Sequence, residues 1–253
     1  MNTEIFSLKN KTALITGGGT GIGFGIACAM IEAGARVVIT GRNKDSLVEA
    51  KEKLGDNCYF KVFDVTQKSA VPQFIEEIEA TIAPIDILVN NAGIHLKRWA
   101  MDTSDEEFEN IIQTNLLSVF SLSKACAKKM AGRKNGVILF IGSMAGIFGI
   151  DRVSAYGTSK AALTGLMQNL VTEFSVHNIR VNTIAPGWIE SPMFLNAINS
   201  DPDRKQKITN RIAMDHFGKV SDIGYTAVFL SSPAASYITG VVLPVDGGAS
   251  VNF

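Results

Sequence analysis

A tyrosine and a lysine stand four positions apart in the stretch SAYGTSK, residues 154–160. On a helix, residues four apart share one face, so Tyr156 and Lys160 would lie side by side. A neighbouring ammonium favours phenolate over phenol, and a tyrosine that works as an acid or base at pH 7 needs its pKa lowered by about 3 units. The pair is compatible with acid–base chemistry, but the spacing is common and by itself favours a half-buried tyrosine beside a solvated lysine, so the rest of the chain must decide between them.

Ser143, in the stretch IGSMAG, is a further candidate for chemistry at an oxygen atom. A serine hydrolase is rejected because the glycine that a nucleophile elbow needs two residues before its serine is absent. The three histidines (His95, His177 and His216) offer that serine no convincing partner. They also lack ligand spacing with one another or with cysteine, so no metal site is expected.

A glycine-rich turn, TGGGTGIG at Thr16–Gly23, lies between a short apolar run and an apolar helical pattern. Its glycines at 17, 21 and 23 are spaced more widely than the G-x-G-x-x-G fingerprint, but the physical argument is the same. Glycine permits positive φ and lets a pyrophosphate approach the backbone at a helix N-terminus. No lysine follows the glycines, which argues against an NTP-binding P-loop. The turn predicts a dinucleotide site.

The residues after the second predicted strand bear on the choice of cofactor. Gly41 stands where NAD-binding sheets place a carboxylate for the ribose hydroxyls, and Arg42 follows it. A guanidinium suits a 2′-phosphate because it offers bidentate donors and a fixed charge, although a surface arginine that begins the next helix is the alternative. We expect NADP (NADPH) to be preferred over NAD.

Two more strand ends carry polar residues. After the third strand, Asp64 could accept a hydrogen bond from an adenine amino group while Val65 packs on the ring, or Asp64 could cap the following helix. The fourth strand ends in NNAG, Asn90–Gly93, at the carboxyl edge where open α/β sheets bind ligands.

Composition limits the class of protein. The 253 residues are 46% hydrophobic, and 24 basic residues balance 24 acidic ones, so a large core is expected and a nucleic-acid or anionic-membrane surface is not. Cys28, Cys58 and Cys126 are widely spaced and set in apolar surroundings, as buried thiols in a reducing compartment are. The charged start lacks the apolar run of a signal peptide, which favours a soluble, cytoplasmic protein.

Short β-branched runs alternate with helical patterns along the whole chain. Strands are predicted at 12–16, 36–40, 59–63, 85–90, 136–141, 180–184 and 241–245. Helices are predicted near 22–33, 43–54, 67–82, 105–131, 155–176 and 221–231. Most strand candidates are apolar on both faces, and strands alternate with helices, so we predict an α/β fold: a doubly wound parallel sheet with helices on both faces. One domain is expected over 1–253, with a substrate lid near 187–216.

Taken together, these motifs resemble the short-chain dehydrogenase/reductase family. The resemblance covers essentially the whole chain and rests on Thr16–Gly23, Asn90–Gly93, Asn115, Ser143, Tyr156, Lys160, Pro186–Gly187 and the VDGG at 245–248. It implies a Rossmann-like, doubly wound parallel sheet of about seven strands with helices on both faces. With that fold it implies hydride transfer between a nicotinamide and a carbonyl or secondary alcohol. It also implies a catalytic tetrad that falls on Asn115, Ser143, Tyr156 and Lys160.

The resemblance implies a role for each tetrad residue. Lys160 holds the nicotinamide ribose and, with the positive charge of the oxidised ring, lowers the pKa of Tyr156, which exchanges a proton with the substrate oxygen. Ser143 donates a hydrogen bond to the same oxygen, and Asn115 positions a water in a proton relay to Lys160. The residues expected to bind the cofactor are Gly17, Gly19, Thr20, Gly21, Ile22, Gly23, Arg42, Asp64, Val65, Asn91, Ala92, Gly93, Tyr156, Lys160, Pro186, Gly187, Ile189 and Ser191.

Two substrate classes stay open, and the leading one resembles 3-oxoacyl-carrier-protein reductases. Enzymes of that kind usually carry two basic residues near the entrance; Lys134 fits one position, but His177 stands at the other. The alternative is a sugar or sugar-acid dehydrogenase such as a gluconate 5-dehydrogenase. A nucleotide sensor without chemistry is less favoured because it has no need of Tyr156.

Six apolar residues could line the substrate pocket or equally be core residues: Leu96, Trp99, Ile147, Trp188, Met193 and Phe194. Lys97 and Arg98 could meet a substrate carboxylate or phosphate, or be solvated. An apolar stripe in 155–176, formed by Leu163, Leu166, Met167, Leu170 and Phe174, could pack on the sheet or pair across subunits. Relatives commonly pair this helix, so the resemblance implies a homotetramer.

Overall fold

The computed structural model describes residues 3–191, 194, 195, 198 and 202–252. Within them, seven strands form one parallel sheet in the order β3-β2-β1-β4-β5-β6-β9. These strands are β1 Thr12–Thr16, β2 Arg36–Gly41, β3 Cys58–Val62, β4 Ile87–Asn90, β5 Gly136–Ile141, β6 Ile179–Pro186 and β9 Val242–Val245. The predicted Rossmann-like, doubly wound fold is confirmed.

The helices lie between the strands as the alternation predicts. They are α1 Gly21–Glu32, α2 Lys44–Leu54, α3 Val71–Thr81, α4 Asp105–Ile112, α5 Ser118–Arg133, α6 Ser154–Phe174, α7 Pro202–Thr209 and α8 Val220–Ser231. The helix predicted at 105–131 begins at a capping box formed by Ser104 and Glu107. It differs from the prediction in its middle, where Gln113–Leu117 forms a π-helical turn between α4 and α5.

Two short strands, one inside the predicted lid at 187–216 and one just after it, were not expected from the sequence. β7 (Ile189–Glu190) and β8 (Gly218–Lys219) form a small parallel sheet of their own, and α7 lies between them in the chain. Each of these strands has two residues, which is too short for periodicity to reveal.

Helices cover both faces of the large sheet. One core packs α1, α2 and α8 on the sheet, and the other packs α3, α5 and α6 on the opposite face. α1 and α8 approach closely because glycines face each other: a Cβ on Gly224 would lie 2.7 Å from the Gly25 carbonyl oxygen. This close packing holds α1 against α8.

The strands are parallel, so their carboxyl ends meet along one edge. The glycine turn follows β1 there, and Ser143 follows β5. No helix among the described residues is both long and apolar enough to cross a membrane.

Candidate active site

The glycine turn after β1 has the geometry that a pyrophosphate needs. Gly21 has a φ of +55°, and no heavy atom lies within 4 Å of where its Cβ would be. Thr20 stands at the N-cap of α1 without a side-chain hydrogen bond to the helix, so the amide groups of the first turn stay open to an anion. A Cβ on Gly23 would lie 2.2 Å from the Gly17 carbonyl oxygen, so only glycine lets the helix approach the turn. The cradle therefore fits a dinucleotide.

Thr16 ties this turn to the end of β4. Its Oγ1 accepts hydrogen bonds from the backbone N–H groups of Asn91 and Ala92, both at 3.0 Å. The Asn91 amide in turn donates to the Thr16 and Gly17 carbonyl oxygens at 2.9 and 3.1 Å. The polar side chains of the NNAG stretch thus serve the protein's own framework. Sequence reasoning did not assign a role to Thr16, because its partners are some 75 residues away in the chain.

Tyr156 and Lys160 lie on the first turns of α6, and the Lys160 Nζ is 5.6 Å from the centre of the Tyr156 ring. The ammonium is buried and donates to the Ile141 carbonyl oxygen at 2.8 Å, so the end of β5 fixes it. Ser143 caps the short turn after β5, where its Oγ accepts from the Ala145 N–H at 3.1 Å. The Ser143 side chain also lies close enough to the Tyr156 phenol to lower its pKa, and both residues line the same two cavities. The predicted serine, tyrosine and lysine are therefore brought together.

The pKa of Tyr156 departs from the sequence-based expectation. Burial raises it above the ordinary value, and the neighbouring Ser143 side chain lowers it by less. Burial also lowers the pKa of Lys160 to about 8, which weakens the ammonium as a source of positive charge. The protein's own groups therefore keep Tyr156 protonated at neutral pH, which is the form needed to donate a proton.

Asn115 lies in the π-helical turn between α4 and α5 and is fully buried. Its Oδ1 accepts from the Ile94 N–H at 2.8 Å, and its Nδ2 donates to the Ile94 carbonyl oxygen and to the Ser159 Oγ at 2.9 and 3.0 Å. The turn thus joins the segment after β4 to α6, next to Lys160. π turns of this kind occur frequently at functional sites.

Two cavities meet at Tyr156 and Ser143. The smaller, of about 200 Å³, lies on the cofactor side and is lined by Ile22, Asn91, Gly93, Ile94, His95, Ile141, Gly142, Ser143, Tyr156, Lys160, Pro186 and Gly187. The larger, of about 530 Å³, is bounded by the segments 95–97, 143–156, 187–188 and 207–211. One cavity suits a nicotinamide ring and the other a substrate, with the tyrosine and serine between them.

The remaining predicted cofactor residues extend along the same sheet edge. Arg42 is exposed after β2, and its charge contributes to lowering the pKa of Asp64 after β3. The main cause of that lowering is the hydrogen bond from the Thr66 N–H, so the Asp64 carboxylate also shapes its own turn. Val65 next to it is buried. Ile189 lies in β7, and the Ser191 Oγ accepts from the Phe194 N–H at 3.2 Å.

The apolar residues named as pocket or core candidates divide between the larger cavity and other packing sites. Trp188 lines the larger cavity, but Leu96, Trp99, Ile147 and Phe194 do not, and Met193 lies outside the described residues. Trp99 instead packs under Arg152, and Phe194 packs edge-on against Phe217. The apolar wall of the cavity is built from Phe148, Ile150, Trp188 and Ile208. These residues pack in one cluster although they come from distant parts of the chain.

The basic residues divide between the cavity and the surface. Lys97 lines the larger cavity, whereas Arg98 pairs with the Glu107 carboxylate at 2.9 Å. Lys134 and His177 precede β5 and β6, at the amino edge of the sheet. In this chain they are therefore on the opposite edge from Ser143, not at the entrance to its cavity.

Comparison with known proteins agrees with this site. The family profile described as enoyl-(acyl carrier protein) reductase matches residues 17–250. The 2-dehydro-3-deoxy-D-gluconate 5-dehydrogenase of Pseudoalteromonas atlantica is 38% identical over 97% of this chain and 98% of its own. The chain belongs to the short-chain dehydrogenase/reductase family.

Two more members of the short-chain dehydrogenase/reductase family represent both substrate classes. The 3-oxoacyl-(acyl-carrier-protein) reductase of Salmonella typhimurium is 37% identical over 96% of this chain and 98% of its own. The solved gluconate 5-dehydrogenase of Burkholderia cenocepacia, in complex with NADP and tartrate, has a TM-score of 0.93 at 31% identity, covering 99% of each chain. The protein is thus an NAD(P)-dependent oxidoreductase acting on a carbonyl or secondary alcohol, and both predicted substrate classes are supported.

Proposed function

We propose that this short-chain dehydrogenase/reductase reduces a small keto acid, or oxidises the matching hydroxy acid, with NADP. The observation that carries the proposal is the charge of the larger cavity. Among the described residues it is lined by Lys97, Lys207 and Arg211 against one carboxylate, Asp151. None of these four side chains forms an ion pair within the described part of the chain. A carboxylate substrate would be attracted to these cations beside Tyr156.

The proposed chemistry uses the four predicted residues. A nicotinamide, bound on the glycine turn, supplies or accepts the hydride. Tyr156 gives its proton to the carbonyl oxygen, and Ser143 donates a hydrogen bond to the same oxygen. Lys160 lies near the Tyr156 ring on the same helix, and Asn115 fixes the segment after β4 to α6 beside them.

The names of two relatives support the acid class. One acts on 2-dehydro-3-deoxy-D-gluconate, and the other is a gluconate 5-dehydrogenase solved with tartrate, a dicarboxylate. A 3-oxoacyl thioester is the second candidate, favoured by the apolar wall of the cavity and by the Salmonella relative. Lys134 and His177 lie at the opposite edge of the sheet, so they do not support a thioester substrate.

A substrate panel tests the proposal. The rates of reduction of 5-keto-D-gluconate, L-sorbose and acetoacetyl-coenzyme A are measured with NADPH as the reductant. Each rate is followed by the loss of NADPH absorbance. L-sorbose is the matched neutral ketone, because it carries CH₂OH where the keto acid carries the carboxylate. We expect kcat/KM for the keto acid to exceed that for L-sorbose by at least about 10-fold, since a charged hydrogen bond is worth about 1.5–3 kcal/mol. A higher kcat/KM for the thioester would establish the second candidate instead.

The broader proposals concern the rest of the chain. We propose that the chain is a single cytoplasmic domain with 187–216 as a substrate lid. The single domain is supported because β1 and β9 lie in one sheet. Free, mostly buried cysteines support a reducing compartment such as the cytoplasm. Lys207 and Arg211 come to the cavity from the segment proposed as the lid. The exposed Arg42 supports a preference for NADP.

We also propose a homotetramer. Most of the apolar stripe on α6 packs inward, since Leu163, Met167 and Leu170 are buried. The apolar surface available for assembly instead includes Leu117, next to the start of α5, and Phe120 on α5, which are 39% and 41% exposed. Light scattering at micromolar concentration should give four times the 27.2 kDa mass of the chain. The mass of one chain would refute the assembly.

A further inference from the structure

Arg211 stands just beyond α7, at the wall of the larger cavity. Its guanidinium carbon lies 4.4 Å from the centre of the Phe148 ring, so the planar group rests on an aromatic face. Its Nε donates to the Ala249 carbonyl oxygen at 3.4 Å, and its own carbonyl oxygen accepts from the Asn252 Nδ2 at 3.3 Å. The ring and the C-terminal loop thus fix the plane of the guanidinium.

These contacts occupy only one side of the guanidinium. Its Nη1 and Nη2 make no hydrogen bond or ion pair to the described residues. Two parallel N–H donors in one plane match the two oxygens of a carboxylate. The cavity that they border also contains Tyr156 and Ser143, and its volume of about 530 Å³ falls in the range of ligand pockets.

We infer that Arg211 is the specificity-determining residue of the substrate cavity, where it binds the carboxylate of the keto acid through Nη1 and Nη2. The inference rests on the proposed function, because it requires an acid substrate. Phe148 positions the guanidinium, and the binding of the acid group sets which carbonyl carbon lies beside the Tyr156 phenol.

The other two cations of the cavity are less suited to this task. All three cations are exposed, but among the described residues neither Lys97 nor Lys207 has an aromatic or backbone contact that fixes its ammonium. A lysine ammonium is a compact point charge on a flexible stem, which adds attraction without bidentate geometry. They steer the anion toward the cavity, whereas Arg211 orients it.

The test measures the ratio of kcat/KM for 5-keto-D-gluconate to that for L-sorbose in four proteins. Arg211→Gln removes the charge but keeps an amide that reaches toward Ala249, and its ratio should fall about 10- to 100-fold, mainly through KM for the acid. Lys207→Gln removes a cation of the same cavity and should lower the ratio by less. Lys205→Gln, on α7 but away from the cavity lining, should leave it unchanged.

The outcomes separate the inference from the proposed function. If the wild-type protein does not favour the acid over L-sorbose, the proposed acid class fails. If it does favour the acid and a folded Arg211→Gln protein keeps the full ratio, Arg211 is not the determinant and the inference is overturned. Should Arg211→Gln not fold, Phe148→Leu carries the test: it removes the surface under the guanidinium, and an unchanged ratio would overturn the inference equally.

Discussion

Replacing the tyrosine by phenylalanine, Tyr156→Phe, is expected to lower kcat by at least about 100-fold while NADPH binding stays nearly unchanged, because the general acid is lost. The phenyl ring keeps the contacts of the tyrosine ring, 4.7 Å from the His95 ring and 5.6 Å from the Lys160 Nζ. Only the hydroxyl is removed, which is the group whose pKa the neighbouring Ser143 side chain lowers. Initial rates from NADPH absorbance and a fluorescence titration with NADPH measure the two effects.

The matched control is Tyr237→Phe, which removes the hydroxyl of a fully exposed tyrosine and should leave both quantities unchanged. A second readout comes from the reverse reaction. In that direction the Tyr156 phenolate accepts a proton from the alcohol. Burial raises the pKa of Tyr156, so the phenolate is scarce at neutral pH and becomes more abundant as pH rises. The oxidation rate should therefore increase with pH in the wild type but not in Tyr156→Phe. Near-normal turnover in the variant would remove Tyr156 from the mechanism.

The fold and the chemical centre could be predicted from the sequence because their signals are local. Apolar runs marked the strands, and the glycines at 17, 21 and 23 marked a turn that only glycine can form. Asn115 was assigned from the family resemblance, but the π-helical turn that holds it was not foreseen. That turn accompanies hydrogen bonds to Ile94 and Ser159, which lie in other segments.

The substrate cavity could not be predicted, because four separate segments form it. Trp99 and Phe194 are large apolar residues near the motifs and were candidates for lining the cavity. In the structure Trp99 packs against Arg152 and Phe194 packs against Phe217. Arg211 gave no sequence signal either: its role depends on Phe148 and Ala249, which are 63 and 38 residues away in the chain. Contacts of this range are set by the packing of the whole sheet.

The wild-type protein should prefer NADPH over NADH by about 10- to 150-fold in kcat/KM, as charge-assisted hydrogen bonds worth about 1.5–3 kcal/mol imply. Gly41 ends β2 without a carboxylate, and Arg42 is exposed beside it, near enough to Asp64 to help lower the pKa of that carboxyl. Because salt screens an exposed guanidinium, and Thr20 stands in the glycine turn where many NADP-specific relatives carry a second basic residue, we expect a preference and not exclusion of NADH.

The double variant Gly41→Asp/Arg42→Ile should shift the preference toward NADH, because an aspartate repels the 2′-phosphate and accepts from the ribose hydroxyls. The site tolerates the change: Gly41 does not have a positive φ, and a Cβ there would lie 3.8 Å from the Leu47 Cδ2, an ordinary contact. The cap of α2 is provided by Asn43 and is not altered. Arg36→Ile, which removes a charge at the other end of β2, is the matched control and should leave the cofactor ratio unchanged. A wild-type protein that prefers NADH would show that the end of β2 does not bind a 2′-phosphate.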